Sequence, residues 1–480
     1  MAHVPVPGSE LTLDAGREPV DLAGAVSSAV PGAVHGLLST LWAGGFAAYV
    51  VGGSLRDMLL GRDVRDWDLA TSARPEQTLG LFPGAVYENA FGTVAVRTGD
   101  AIAGEVEITT FRTDHDYADF RRPHRVEFGE SIELDLARRD FTVNAMAWGA
   151  EGASAGPPEL PALIDPHGGR ADLAIRSLRA VGDPVARFSE DALRMVRAVR
   201  LAATLDFGIE PATMAGIQAQ AHLVGHLSGE RIALELSKLL ATERPSIGLR
   251  LLADTGLLDH ISADLARQRG VPQNKVPGED LWDHTLRAVD GAAPQPSRIR
   301  LAALLHDIGK PETAADGRFI GHDRLGADLA AALLGRLHWP IAERDRVVHL
   351  VRHHMFDYVE GWSDAAVRRL MVKVGPEVLE DLFQLRAADN LGSDRPADAG
   401  RLGELRERVA QQLAAGFALD LHGLAVDGSD LMAALEMPAG PELGRLLDAL
   451  LDRVIADPAA NTRDRLLTLA REWRARHASS

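Results

Sequence analysis

The chain has 480 residues, no cysteine and a formal net charge of −17. Zero cysteines exclude disulfides and thiolate metal sites, so any bound metal is held by His and carboxylates. The acidic balance argues against nucleic-acid binding driven by bulk charge, while leaving room for a local basic groove. This length predicts two to four domains, no apolar run is long enough for a membrane span, and no charged-then-apolar leader opens the chain. A cytoplasmic protein with no membrane partner is expected.

Residues 1–24 are interrupted by Pro and Gly and are expected to be flexible. A helix is predicted from the mid-20s to 43, ending at Gly44-Gly45. The apolar run Ala47 to Val51 then meets Gly52-Gly53 and Arg56-Asp57, and a short apolar segment leads into Asp66-Trp67-Asp68. Glycines at a strand end let backbone N–H groups approach a phosphate. Carboxylates at i and i+2 on an extended chain share a side, and two hard oxygen ligands on one side suit the Mg²⁺ that accompanies a nucleoside triphosphate. A turn followed by solvated acids is the competing reading.

This stretch resembles the signature of the nucleotidyltransferase superfamily, in the class that holds bacterial CCA-adding enzymes and poly(A) polymerases. The resemblance implies that Gly52, Gly53 and Arg56 hold a triphosphate and that Asp66 and Asp68 hold two catalytic Mg²⁺ ions. Further along, Val94 to Arg97 and Glu105 to Phe111 read as strands. Alternation in the second puts Glu105, Glu107 and Thr109 on one face. An adjacent strand would bring Glu107 beside Asp66 and Asp68 as a third carboxylate, for metal binding or for orienting the attacking hydroxyl. A merely exposed strand face would alternate in the same way. Residues 113–128, with Tyr117, Asp119 and Arg121-Arg122-Pro123, resemble the family's flexible loop between catalytic strands. The run Asp135 to Met146 is similar to its second motif, which implies that Arg139 contacts the nucleotide and that Asp140 and Asn144 fix its sugar or the motif's own backbone. Residues 151–161 read as an inserted surface loop before Leu163-Ile164-Asp165-Pro166.

From about residue 170 the pattern is almost wholly helical. In Arg187 to Arg200, Ser189 is expected to cap a helix on which Asp191 and Arg194 are i,i+3 neighbours. An intrahelical ion pair is the simple reading. The chemistry offers more: a carboxylate accepts from an exocyclic amino group while a guanidinium donates to the neighbouring ring acceptor. Cytosine and adenine present that pair, whereas uracil and guanine present a carbonyl in place of the amino group. One Asp–Arg pair can therefore accept C and A and reject U and G, at roughly 1–3 kcal/mol for each unpaired buried group. The resemblance assigns this role to the Glu-Asp-x-x-Arg motif, here Glu190, Asp191 and Arg194, with Arg197 and Arg200 supporting phosphates or primer. Arg231, Glu235 and Lys238 resemble the next helical motif and are expected to be structural.

Gly270 to Gly278, with Pro272 and Pro277, reads as a linker. A second constellation follows: His284, His306-Asp307, His322, His353-His354 and Asp389. Ordered His and Asp residues converging in a helical bundle suit a divalent metal that activates water. The series resembles the HD phosphohydrolase superfamily. The resemblance implies His284, His306, Asp307 and Asp389 as ligands of a divalent metal of unassigned identity, with His322 and His354 for a second metal or a phosphate. His353 is an alternative to His354.

The resulting expectation is an α+β chain: residues 1–24 flexible, a mixed-sheet nucleotidyltransferase head at 25–168, a helical neck at 169–270, an HD domain at 279–395 and a helical tail at 396–480. This order is similar to bacterial CCA-adding enzymes with an HD module, over roughly residues 35–395. The implied partners are tRNA, CTP and ATP, with the tail at most a tRNA-holding element. Its mixed charge favours this reading over poly(A) polymerase, whose C-terminal extensions are typically basic. Two readings stay open beside it: poly(A) addition, and an HD nucleotide hydrolase with a degenerate head. Addition restricted to C or to A and the oligomeric state are not decided by the sequence.

Overall fold

The computed structural model describes residues 22–64, 66–89, 92–115, 125–129, 131–152, 160–273, 275–418 and 420–477. Tyr117, Asp119, Arg121, Arg122 and Pro123, and most of the 1–24 and 151–161 segments, lie outside the described residues. Two compact units divide the chain, residues 1–263 and 264–480.

The first unit opens with α1 (Leu22–Ala29) and α2 (Gly32–Ala43). The single helix expected here is two, because Pro31 cannot continue the first and instead caps the second. Next come β1 (Ala48–Val51), α3 (Gly52–Leu59), β2 (Trp67–Thr71) and α4 (Pro75–Leu81). Strands β3 (Val86–Asn89), β4 (Thr93–Arg97), β5 (Glu105–Thr110), β6 (Arg112–His115) and β7 (Arg125–Phe128) follow, then α5 (Ile132–Ala137), β8 (Ala147–Ala150) and β9 (Ala162–Ile164). Seven strands form one sheet in the order β3-β4-β5-β2-β1-β8-β9. Only β2 and β5 pair in parallel within it. Their register sets Asp68 opposite Glu107 and Leu69 opposite Ile108. The burial of β5 alternates as its sequence predicts, with Val106 and Ile108 inside and Glu105 and Glu107 outside. One face of the sheet is sealed by Tyr49, Val51, Ala70 and Phe111 against Ile132 and Leu136 of α5.

The helical remainder of this unit contains α6 (Gly169–Ala174), α7 (Pro184–Glu190), α8 (Leu193–Leu205), α9 (Pro211–Gln220), α10 (Gly229–Leu240), α11 (Pro245–Asp254) and α12 (Leu257–Ile261). Its amphipathic helices pack by their apolar stripes; α8 lies against α10 and α11. Ser189 does not cap a helix. Its hydroxyl donates back to the Val185 carbonyl inside α7, whose cap is Asp183, accepting from the Ala186 N–H at 2.7 Å. Asp191 is an extended residue (φ −144°, ψ 104°) between α7 and α8, so it and Arg194 do not share one helix as expected.

Short α13 (Ala263–Ala266) spans the boundary between the units. The second unit holds α14 (Leu281–Gly291), α15 (Ser297–Leu305), α16 (Lys310–Thr313), α17 (His322–Arg336), α18 (Ile341–His353), α19 (Asp364–Val374) and α20 (Leu379–Gly392). α21 (Leu402–Ala414), α22 (Gly428–Leu435), α23 (Pro441–Ala456) and α24 (Arg463–His477) complete it. α14 packs on α15 and α20, and α17 on α18. The last three helices have their own apolar core around Leu431, Leu446, Leu450 and Leu466. Among the described residues no helix is long and apolar enough to cross a membrane.

Candidate active site and candidate metal centre

The head site is built where β1 turns into α3. Gly52 has φ +71°, and a Cβ there would lie 3.0 Å from Arg139 Nη1 and 3.3 Å from Asp68 Oδ2. A side chain at this turn would thus be both strained and in the way of a cation–carboxylate pair. Arg56, on α3, is buried; it donates through Nη1 to Asn144 Oδ1 at 2.6 Å and grips Asp57 through Nε and Nη2. Arg139 is held by buried Asp135, with Nη2 3.1 Å from Oδ2. Asp140 accepts from the Phe141 N–H, from Asn144 and from Arg197. Asp140 and Asn144 thus hydrogen-bond within their own motif.

Three acids converge on this turn. Asp68 is half-buried, and burial pushes its carboxyl up; Arg139 opposes this, and nearby Asp66 adds to it. Glu107, opposite Asp68, is also raised, first by partial desolvation and then by Asp68. Asp66 and Asp68 line a cavity of about 1070 Å³ together with Gly53, Arg56, Arg200 and Lys238 and the further acids Asp57, Asp63 and Asp206. The oxygen donors of Asp66 and Asp68, both on the cavity wall, are of the type that holds a hard divalent cation. Arg56, Arg62, Arg200 and Lys238 on that mixed-charge wall suit a triphosphate.

The other arginines are engaged in a network. Arg197 pairs with Asp140 at 2.8 Å and Arg200 with buried Glu235 at 2.5 Å. Asp140 is held well below the ordinary carboxylate range: burial raises it, but Arg197 and the hydrogen bond from Asn144 outweigh that. Asp191 Oδ2 accepts from Arg231 at 2.7 Å, and Arg194 Nη1 donates to Glu190 at 2.7 Å. Arg194 Nη2 also donates to the Arg138 carbonyl, fastening α8 to the end of α5. Sequence reasoning missed the Arg231 and Glu190 links; the Arg-x-x-x-Glu-x-x-Lys spacing was their only signal.

In the second unit, His284 projects from α14, His306 and Asp307 follow α15, His322 starts α17, His354 follows α18 and Asp389 lies on α20. His284 Nε2 is 3.2 Å from His306 Nε2 and 3.3 Å from Asp389 Oδ1. Two nitrogens bound tetrahedrally at 2.0–2.1 Å would be about 3.3 Å apart. His322 Nε2 and His354 Nε2 make a similar pair at 3.2 Å. Asp307 stands between the pairs, with Oδ2 3.1 Å from His306 and Oδ1 3.3 Å from His322. His306, His322 and His354 each direct Nδ1 to a backbone carbonyl, of Ala303, Phe319 and Val351, which turns Nε2 inward. Burial holds His306 below its ordinary pKa, the neutral form a ligand needs, against the pull of Asp307. These residues form two groups of potential ligands, His284/His306/Asp389 and Asp307/His322/His354, and the donor chemistry fits a divalent ion. His354 is part of the second group, whereas the ring of His353 lies tilted against His349, with centroids 4.5 Å apart. Two lysines not anticipated at this site also reach it. Lys310 Nζ is 2.6 Å from Asp307 Oδ2, and Lys275 Nζ is 3.3 Å from Asp389 Oδ1.

Residues 48–179 match the family described as "Poly A polymerase head domain", 206–268 the "Probable RNA and SrmB- binding site of polymerase A", 261–393 the "HD domain", and 330–470 a tRNA nucleotidyltransferase domain 2. A CCA-adding enzyme of Geobacillus stearothermophilus is 33% identical over 436 residues, 90% of this chain and 94% of that protein. The chain belongs to the CCA-adding enzyme family. A relative from Streptococcus suis (strain 05ZYH33), also a CCA-adding enzyme, is 33% identical over 91% of this chain and 95% of its own. The crystal structure of the Bacillus stearothermophilus CCA-adding enzyme in complex with CTP superposes with a TM-score of 0.68, at 29% identity, over 94% of this chain and all of that one. A Thermotoga maritima CCA-adding enzyme complexed with tRNA shares the fold, at 18% identity and a TM-score of 0.52. The first unit therefore carries this family's nucleotidyltransferase head, and the second an HD domain.

Proposed function

We propose that this chain adds C, C and A to the 3′ end of tRNA from CTP and ATP without a nucleic-acid template. The observation that supports this most is the parallel register that sets Glu107 against Asp68, beside the Gly52 turn and a cavity lined by Asp66, Asp68, Arg56 and Lys238, in a chain 33% identical to CCA-adding enzymes. Mg²⁺ held by Asp66 and Asp68 would supply activation of the terminal hydroxyl and neutralisation of the pyrophosphate. Gly52, Gly53 and Arg56 receive the triphosphate, and Arg139 lies on the nucleotide side of the turn. Glu107 orients the attacking hydroxyl or supports the cation site.

Asp191 and Arg194 read the base. The Asp191 carboxylate spends one bond on the Leu193 N–H and one on Arg231, and retains lone pairs for an exocyclic amino group. Arg194 engages Arg187 O, Glu190 and Arg138 O, so two of a guanidinium's five N–H groups remain for a ring acceptor. Arg197 and Arg200 act through Asp140 and Glu235, holding the floor on which primer and phosphates rest. The tRNA is gripped by shape and phosphate contacts rather than by its sequence.

The second unit is proposed to hydrolyse a phosphoester, such as a 2′,3′-cyclic or terminal phosphate at an RNA end, with His284, His306, Asp307 and Asp389 holding a divalent ion and His322 and His354 a second ion or the phosphate. A damaged 3′ end would then become extendable by the head.

The test extends three tRNA transcripts, ending before CCA, after C and after CC, with each NTP and Mg²⁺. Addition of C, C and A that then stops is the expected result. Unlimited A addition, also to unrelated RNA, would instead identify a poly(A) polymerase, a single-nucleotide product a split-activity enzyme, and no incorporation a chain acting through its HD site alone.

A further inference from the structure

Lys275 is one of only four lysines in the chain, and it comes to the HD site from outside the helices that carry the ligands. It lies between α13 and α14 in a loop tied to itself. The Gly270 N–H donates to Asp280 Oδ2 at 2.6 Å, the Leu281 N–H donates to the Val271 carbonyl at 2.9 Å, and Pro272 bridges to Asp280. So anchored, the loop delivers the ammonium to two of the residues best placed to hold a metal: Nζ is 3.3 Å from His284 Nε2 and 3.3 Å from Asp389 Oδ1. Its side chain is about one-third exposed, at 34%, so it can leave without unfolding anything. Lys310 differs, because it is buried and bound to Asp307 from the adjoining turn.

An imidazole Nε2 has a single lone pair, so an ammonium donor and a metal ion exclude each other at His284. A unit charge and a divalent ion a few ångströms apart also repel strongly when water is largely excluded. Lys275 itself lines a cavity of about 560 Å³, together with Lys310, Arg318, Arg386 and Arg395. Such a ring of cations over a metal centre suits a phosphate.

We propose that Lys275 is a tethered counter-ion of the HD site, which competes with the divalent ion for His284 and Asp389 and, once displaced, binds the phosphate of the substrate. This rests on the metal-dependent reading of the second unit. The experiment is isothermal titration of the full chain with Mn²⁺ alone, then of the Mn²⁺-loaded chain with inorganic phosphate, for the unmodified protein and for Lys275→Met. Removing the ammonium should tighten Mn²⁺ at least about tenfold and weaken phosphate by a similar factor; Lys275→Arg should retain phosphate binding. Tightening is not what a damaged fold produces, so a merely structural role for Lys275 would not give this result. Equal Mn²⁺ affinity in the two proteins, or phosphate affinity that does not fall in Lys275→Met, overturns the assignment of Lys275 alone. Absence of Mn²⁺ binding by the unmodified chain overturns the metal reading itself, and this inference with it.

Discussion

Asp68 is held in a state that costs the fold something, on the wall of the cavity where the proposed cation would bind. Burial and Asp66 raise its carboxyl against the opposing arginines, so the unfolded chain releases that proton more readily than the folded one. The sign follows from linkage: this residue's contribution to stability is present at low pH and lost as pH rises through the raised folded value. Near neutral pH in metal-free buffer, Asp68→Asn should therefore raise the thermal midpoint of the first unit by about 1–3 °C. The same change should lower nucleotide addition by roughly 10²–10⁴-fold, several kcal/mol of transition-state charge stabilisation. A midpoint that falls would show that Asp68 is satisfied by its neighbours. Arg231 permits a second test at this scale. It shares the Asp191 carboxylate, so Arg231→Met should leave the pair able to bind a base but less able to refuse one. UTP or GTP misincorporation should rise about 10-fold or more relative to CTP, read from single-nucleotide extension. The acids and arginines themselves were legible in the sequence, because their types and spacing state the chemistry. Their partners were not: Asp191 and Arg231 are 40 positions apart, and no local pattern says which guanidinium closes on which carboxylate.

Among the elements, the strands that carry function were readable from alternation, since β5 has one wet and one dry face. The break between α7 and α8 was not, because Ser189, Glu190 and Asp191 all favour a helix start on composition, whereas Ser189 bonds back to Val185 within α7 and Asp191 is held by Arg231 from 40 positions away. Close strand packing adds a requirement that periodicity does not display. A Cβ on Gly149 of β8 would fall 2.1 Å from the Ala48 carbonyl and 2.8 Å from Tyr49 Cα of β1. Gly149→Ala must push β8 away from the strand that leads into the Gly52 turn. The expected cost is about 1–3 kcal/mol or more, seen as a lower midpoint for the first unit, with phosphoester hydrolysis by the second unit unchanged. A variant as stable as the parent would mean that the sheet can relax at no cost.

At the scale of the whole molecule, two units each contain a separate collection of charged groups. Their independence makes a direct prediction. Asp307→Ala should abolish hydrolysis of a cyclic phosphate on an RNA end and leave C, C and A addition within about twofold of the parent, since the two sites share no side chain. Parallel loss of both activities would sink the two-site picture. The sequence reading puts a linker at 270–278, and the compact units part at 263/264. Gly and Pro mark a loop, and this loop is pinned by its own hydrogen bonds to the start of α14, which makes it part of the second unit. The net charge of −17 is likewise a poor guide to function here, because Lys275, Lys310, Arg318, Arg386 and Arg395 gather around one cavity of the second unit.

The pairing of β2 with β5 also determines which changes of chain length the protein can survive. Side chains along a strand alternate, so adding or deleting one residue inside 67–71 would exchange the faces of Leu69 and Asp68, and inside 105–110 would send Ile108 to the wet face, in each case turning a carboxylate into the core. The segment 60–64 is under no such parity, being neither helix nor strand where it borders the cavity. Natural and engineered variants of this head should therefore vary freely in the length of that connection and hardly at all in the two strands it serves.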